Sequence, residues 1–430
     1  YNMTIRAQSK KCIFQGNVAF TKIAIESRDF TFVVQDKLTV GGIPDCQGIS
    51  LGKLYKLTIE GPGTLDVTAT RYCSPGIGGG EGRSSRDADD CGTLIIKSGT
   101  VNATGGPYGA GIGGGSSRYT TVLGSSSKSN GADGGTVIID GGTVNAVGND
   151  GAAAIGGGYS KNGQAGKGGT VTISGGTVNA TAEGGGAAIG GGASDASTLS
   201  KMYGGGVGTY TQTGGSVTVS AAGAGIGSAS YSTVSTNDGI RIHGGTVTAK
   251  STGAGAGIGG GLAAEAPIVY IQKDTEDQRP CDAVIKSSAY NGAAIGGGAD
   301  CTKTYLICIN AKSVDCSSVN GAGIGMGNNG NVTHAIYLYG GDIKAVSTNN
   351  YGVGDFKYRS SNTFNYPVIL GSTSVSGYLN ADISSENNYA LGYFDCRNGT
   401  VKVRSGSKAT DTGDSNRSAV AGGSFYSLKP

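Results

Sequence analysis

The 430-residue chain has no tryptophan, two histidines and three methionines, and its eight phenylalanines all fall within residues 14–32 or 356–425. Each scarcity excludes something. Nine cysteines include no Cys-x-x-Cys pair, and His243 and His334 stand far apart without a partner motif, so no metal and no cofactor is expected. The net charge of +3 is spread along the chain, which leaves no basic stripe for nucleic acid. No apolar run approaches the ~20 residues that cross a bilayer, so no membrane span is expected. Clustered carboxylates are few. Asp87, Asp89 and Asp90 form one group and Asp274, Glu276, Asp277 and Asp282 another, both in charged, loop-like stretches rather than the paired arrangement of glycan cleavage or a calcium loop. An enzyme is not expected. The chain starts at Tyr1 with neither an initiator Met nor an apolar leader, which reads as the mature or excised part of a secreted precursor.

What is abundant is glycine: 83 residues, nearly one in five, against a typical ~7%. Glycine does not fall at every third position, which excludes collagen. Val and Ile recur in ordered positions between the glycines, which argues against disorder. The signature is self-similarity. Gly-Ala-Gly-Ile-Gly-Gly-Gly at 109–115 returns at 152–158, 186–192, 255–261 and 292–298, with worn copies at 75–80, 223–228 and 321–327. Its Ile falls at 77, 112, 155, 189, 226, 258, 295 and 324, a mean step of about 35 residues.

The cleanest unit runs from Gly169 to Gly192. Val171 and Ile173 alternate on one side of a first strand, Gly175-Gly176 turns a corner, and Val178 and Ala180 continue on the same side of a second. A third strand places Ala187 and Ile189 inward, and the glycine run then leads into a loop of variable length. Three strands per unit predict an all-β, right-handed parallel β-helix of about eleven rungs. At ~4.8 Å per rung the rod is on the order of 50 Å long. Residues 1–56 read as a strand-rich N-terminal cap, 57–350 as the repeats, and 351–430 as degenerate rungs and a C-terminal cap. The absence of Phe between the ends predicts a middle core too narrow for a phenyl ring.

The strings Gly-Thr-Val-x-Ile-x-Gly-Gly-Thr-Val-Asn-Ala and Gly-Ala-x-Ile-Gly-Gly-Gly resemble the β-helical repeats of large secreted or surface-attached proteins, over roughly residues 57–345. They are also loosely similar to a β-helical family of plant cell-wall polysaccharide binders. The first resemblance implies an extracellular structural protein, a building block of a surface fibre, coat or adhesive layer. The second implies a non-catalytic polysaccharide-binding module.

Four sets of residues are candidates for function. Gly111, Ala154, Ala188, Gly225, Gly257, Ala294 and Gly323 alternate with the inward Ile positions and should face outward, where they are either covered by the long loops or packed against another copy. Thr100, Thr143, Thr177 and Thr246, with Asn102, Asn145, Asn179 and Thr248, should form outward ranks on the second strand. These are either ordinary strand propensity or a flat platform for polysaccharide or ice. Met3, Ile5 and Ala7 share one side of an N-terminal strand that either pairs in its own cap or completes another copy's sheet. Cys12 with Cys46, Cys73 with Cys91, and the cluster Cys281, Cys301, Cys308 and Cys316 suggest disulfides of unknown pairing. Sequons at Asn2, Asn102, Asn179, Asn331, Asn398 and Asn416 permit glycosylation.

Overall fold

A computed structural model describes residues 1–6, 10–82, 86–117, 129–195, 203–235, 238–274, 279–330, 335–354, 368–371, 379–392, 394–397, 399–405 and 426–428. All regular structure in them is β, and every strand pairing but one is parallel. Each regular turn of the chain lays one strand on each of three ladders, and in two later turns a single strand, Ile307–Ser318 or Ile336–Ser347, spans the first and second. In the cleanest turn these are Thr170–Ile173, Thr177–Ala182 and Ile189–Gly190. The third ladder is a continuous 12-stranded sheet, while the first and second join into a 25-stranded sheet. The chain is a parallel β-solenoid.

Stacking is in register because the apolar positions repeat. Ile112 pairs with Ile155, Ile155 with Ile189, and Ile189 with Ile226, and so on to Ile324 opposite Val353. These side chains and those of the other two ladders form one apolar core from Ile5 to Val403. The column starts earlier than the repeats suggest: Met3 lies opposite Ile23, Ile23 opposite Ile49, and Ile49 opposite Ile77. The described strands within residues 1–56 therefore stack in register on the same ladders as the repeats. Their larger side chains widen the core, where Phe14, Phe30 and Phe32 meet edge to face.

The narrow-core expectation for the middle is corrected by Tyr210, which is 1% exposed within the main core. It stands between Val171 and Ile240 in register, with Gln212 between Ile173 and Ile242. The ring is admitted because its hydroxyl has a partner, Gln212 Oε1 at 2.7 Å. The amide nitrogen of Gln212 in turn donates to Gly214 C=O at 3.1 Å. A buried polar pair thus replaces two aliphatic side chains.

The glycine runs fold differently from a plain strand. Only Ile-Gly is extended, and the glycine after each Ile has a positive φ, for example 140° at Gly190. The preceding segment curls so that Ala187 N–H donates to Gly191 C=O at 3.0 Å. That curl breaks the alternation. Ala188, not Ala187, joins Ile189 in the main core, and Ala154 and Ala294 do the same beside their isoleucines. The rank Gly111, Ala154, Ala188, Gly225, Gly257, Ala294 and Gly323 is buried throughout, so its outward placement is corrected and it offers no face to another copy.

The glycines that follow are covered by described segments that return toward the first ladder, among them Ala132, Gly166 and Gly205, which lie between successive glycine runs. One zigzag of backbone hydrogen bonds joins them: Gly115 N–H to Asp89, Ala132 to Gly115, Gly158 to Ala132, Gly166 to Gly158, Gly192 to Gly166, Gly205 to Gly192 and Ala229 to Gly205, at 2.9–3.2 Å. Side chains have no room there. A Cβ on Gly166 would stand 1.7 Å from Ala132 O, and one on Gly205 would stand 1.8 Å from Gly166 O. Glycine at these positions is a requirement of backbone-to-backbone packing.

At the N-terminal end, Asn2–Ile5 pairs in parallel with Lys22–Ile25 of the same chain. Met3 and Ile5 are thus already paired within their own sheet, and donation of this strand to a neighbour is corrected; Ala7 lies outside the described residues. At the other end, Tyr426–Leu428 runs antiparallel to Thr400–Arg404. Seven of the nine cysteines are buried, and Cys12, Cys46, Cys91, Cys281, Cys301, Cys308 and Cys316 form no disulfide. Parallel stacking separates the proposed partners: Cys281 pairs in register with Ala311 and Cys316 with Ser287, while Cys308 lies on the first ladder opposite Tyr270. The disulfides expected within the cluster Cys281, Cys301, Cys308 and Cys316 are thus not formed. Burial pushes the thiols of Cys91 and Cys308 up to about 12, which makes them poor nucleophiles at neutral pH.

Candidate functional site

The outer face of the second ladder carries the most ordered polar array. Because the parallel register is unbroken there, identical side chains stand directly above one another. Thr100, Thr143 and Thr177 form one column, continued by Ser216 and Thr246. Asp66, Asn102, Asn145 and Asn179 form the next, continued by Thr218 and Thr248. The columns predicted from alternation are therefore assembled as expected, half-buried at Thr100 and Asn102 and exposed at Thr177, Asn179 and Thr246.

Within the asparagine column each amide is spent on its neighbour. Asn179 Nδ2 donates to Asn145 Oδ1 at 2.8 Å, Asn145 Nδ2 to Asn102 Oδ1 at 2.7 Å, and Asn102 Nδ2 to Asp66 Oδ1 at 2.6 Å. Lys37 Nζ closes the column at 2.9 Å from Asp66 Oδ2. Beyond Thr248 the same column becomes an alternation of charge: Lys286, Asp315, Lys344, Asp382 and Lys402 are successive partners in register. Arg404 reaches back to Asp382 at 2.5 Å. The threonine column differs: no side-chain partner of Thr100, Thr143, Thr177 or Thr246 is found among the described residues.

Burial works to raise the Asp66 carboxyl, but the Asn102 amide and the Lys37 ammonium outweigh it and hold the group below the usual carboxylate range. A lowered folded-state value means stability that is complete at neutral pH and is lost as acid protonates the carboxylate. The unfolded chain titrates near ~3.9, so the loss occurs below that point. Asp66→Ala is expected to cost on the order of 1 kcal/mol at neutral pH. In urea titrations the difference between the parent and the variant should shrink as the pH falls below ~3.9 and on through the lowered folded-state value of Asp66.

A second amide ladder escaped the sequence reading. Asn320 Nδ2 donates to Asn291 Oδ1, Asn349 to Asn320, and Asn387 to Asn349, each at 2.8 Å. Its signal was present: each Asn stands four residues before the apolar residue of the third ladder, Ile295, Ile324, Val353 or Leu391.

The remaining candidates are dispersed. Asn102 and Asn179 sit mid-strand with their side-chain nitrogens already donating, a poor setting for glycan attachment, whereas Asn2 is exposed on the first strand. Asn331, Asn398 and Asn416 lie outside the described residues, as do Glu276, Asp277 and His334. Asp87 and Asp90 accept the backbone N–H of Asn130 and Asp133 from the next loop, and Asp89 pairs with Arg86. They fasten one loop to the next. His243 Nδ1 stands 2.6 Å from Gln272 O. Among the described residues no group of three or more His, Cys, Asp or Glu could hold a metal ion, and no helix is long and apolar enough to cross a membrane. A depression beside Ser50, Ser74 and Glu81 has a cavity volume of about 20 Å³, room for little more than one water molecule.

No curated protein and no solved structure matches the chain. A family model described as a beta helix repeat matches residues 94–116, 137–159, 168–193 and 240–262. Each matched segment takes in a first strand, a second strand and the glycine run that follows, so the chain is similar to beta helix repeats over the units in which all three ladders are most regular.

Proposed function

We propose that the protein is an extracellular structural protein, a solenoid building block of a surface fibre, coat or adhesive layer, without catalysis. The observation that carries this reading is the second-ladder column in which surface amides and charges bond to one another along the rod rather than converging on a ligand. Such groups stiffen the rod and keep its polar surface self-satisfied. Its partners on this reading are other copies of itself. Electron microscopy of the purified protein tests it: filaments or sheets of regular repeat are expected. Monodisperse rods at all concentrations would contradict it.

A second reading has its own support. The threonine column Thr100, Thr143, Thr177 and Thr246 keeps its hydroxyls unspent in an unbroken register, which suits an ordered polysaccharide more than a single small molecule. Co-sedimentation with insoluble polysaccharide, abolished by Thr143→Lys, is the result this reading requires.

A further inference from the structure

Six Asn-Gly pairs occur in the sequence, at 130, 162, 291, 320, 329 and 398. Such pairs are chemically weak points. The glycine nitrogen attacks the asparagine Cγ, the new N–Cγ bond forms as the Cγ–Nδ2 bond breaks, and ammonia leaves with the proton the nitrogen gave up. Water then opens the succinimide ring to aspartate or isoaspartate. The reaction needs a glycine nitrogen that can lose its proton and swing toward Cγ, so a hydrogen bond from that N–H suppresses it.

Four of the five described pairs have that bond. Gly131 N–H donates to Gln164 C=O at 2.9 Å and Gly330 N–H to Gly327 C=O at 3.2 Å. Gly163 N–H donates to Ser160 Oγ at 2.8 Å and Gly321 N–H to Ser318 Oγ at 3.0 Å. The last two share a Ser-x-Asn-Gly sequence, and the same serine contact recurs in Ser-x-Asn-Asn at Ser347 with Asn350 and at Ser385 with Asn388. Asn291-Gly292 is the exception. Ala289 occupies the serine position in the same register as Ser318, and no partner of the Gly292 N–H is found among the described residues.

We propose that Asn291 is a deamidation site of the folded protein, and that the serine contact protects the otherwise equivalent Asn320. Asn291 is also the end of its amide ladder: its Oδ1 accepts from Asn320, with no ladder asparagine beneath it. An aspartate there still accepts that bond, so the product is held in place. Isoaspartate, with an extra backbone atom, breaks the register.

Peptide mass spectrometry after incubating the intact protein in mildly alkaline buffer tests this, with a urea-unfolded sample alongside. In the folded protein Asn291 should deamidate roughly tenfold or more faster than Asn320, the effect of one hydrogen bond; in urea the two should converge. Ala289→Ser should slow Asn291 toward the rate of Asn320, and Ser318→Ala should speed Asn320. Equal rates in the folded parent, or Asn320 ahead of Asn291, overturn the proposal. So does an Ala289→Ser variant of native stability whose Asn291 rate is unchanged.

Discussion

Gly166→Ala should destabilise the solenoid by about 3 kcal/mol or more, although it adds a single methyl group. The added Cβ would lie 1.7 Å from Ala132 O and 2.4 Å from Ala132 C, both backbone atoms that cannot rotate away. Relief requires the returning loop to lift off the glycine run. That breaks the bonds from Gly166 N–H to Gly158 and from Gly192 N–H to Gly166. Because each turn of a solenoid is held by its neighbours, the damage should appear as a local opening around residues 132–205 before the ends unfold. Urea melts and limited proteolysis would report it. Gly16 is the control that separates backbone strain from collision: nothing lies within 4 Å of where its Cβ would stand, but its φ is +69°. Gly16→Ala should cost about 1 kcal/mol.

The second large effect is expected at Tyr210. Tyr210→Val removes a fully buried ring and takes the hydroxyl partner from Gln212 Oε1, at a cost of roughly 3 kcal/mol. Adding Gln212→Ile restores the aliphatic pair found in register above and below, Val171 with Ile173 and Ile240 with Ile242. The double variant should recover about 1 kcal/mol or more, because no buried amide oxygen is then left without a partner. Equal stability of the single and double variants, measured by urea denaturation, would mean that the hydroxyl–amide contact contributes nothing.

These two positions also mark the limits of what can be read from the amino-acid order. The apolar column and the glycine corners were legible because they are period signals, repeated turn after turn: Ile155, Ile189 and Ile226 are in register as their spacing predicts. The Thr and Asn ranks were legible for the same reason. The facing of Ala188 was not, since strict alternation fails where the extended segment is two residues long and its entry is a curl. Tyr210 is a single departure from the repeat, and its burial depends on a partner two residues away. The glycine seam was hidden because its second half comes from loop ends, such as Gly166 and Gly205, that follow insertions of unequal length. The cysteines misled because closeness in sequence, as for Cys308 and Cys316, becomes separation onto different ladders in a solenoid. The role of the polar columns was the least legible, because the fold contributes spacing and rigidity while the choice of partner lies in surface chemistry.

The glycine runs and the chain segments that return between them form one interior backbone seam. Amide hydrogen exchange of the intact protein tests it most directly. The N–H groups of Gly158, Gly166, Gly192 and Gly205 should exchange as slowly as those of the neighbouring strands Thr170–Ile173 and Thr177–Ala182. Exchange at the rate of an unprotected loop at these four glycines, with the strands still protected, would contradict it.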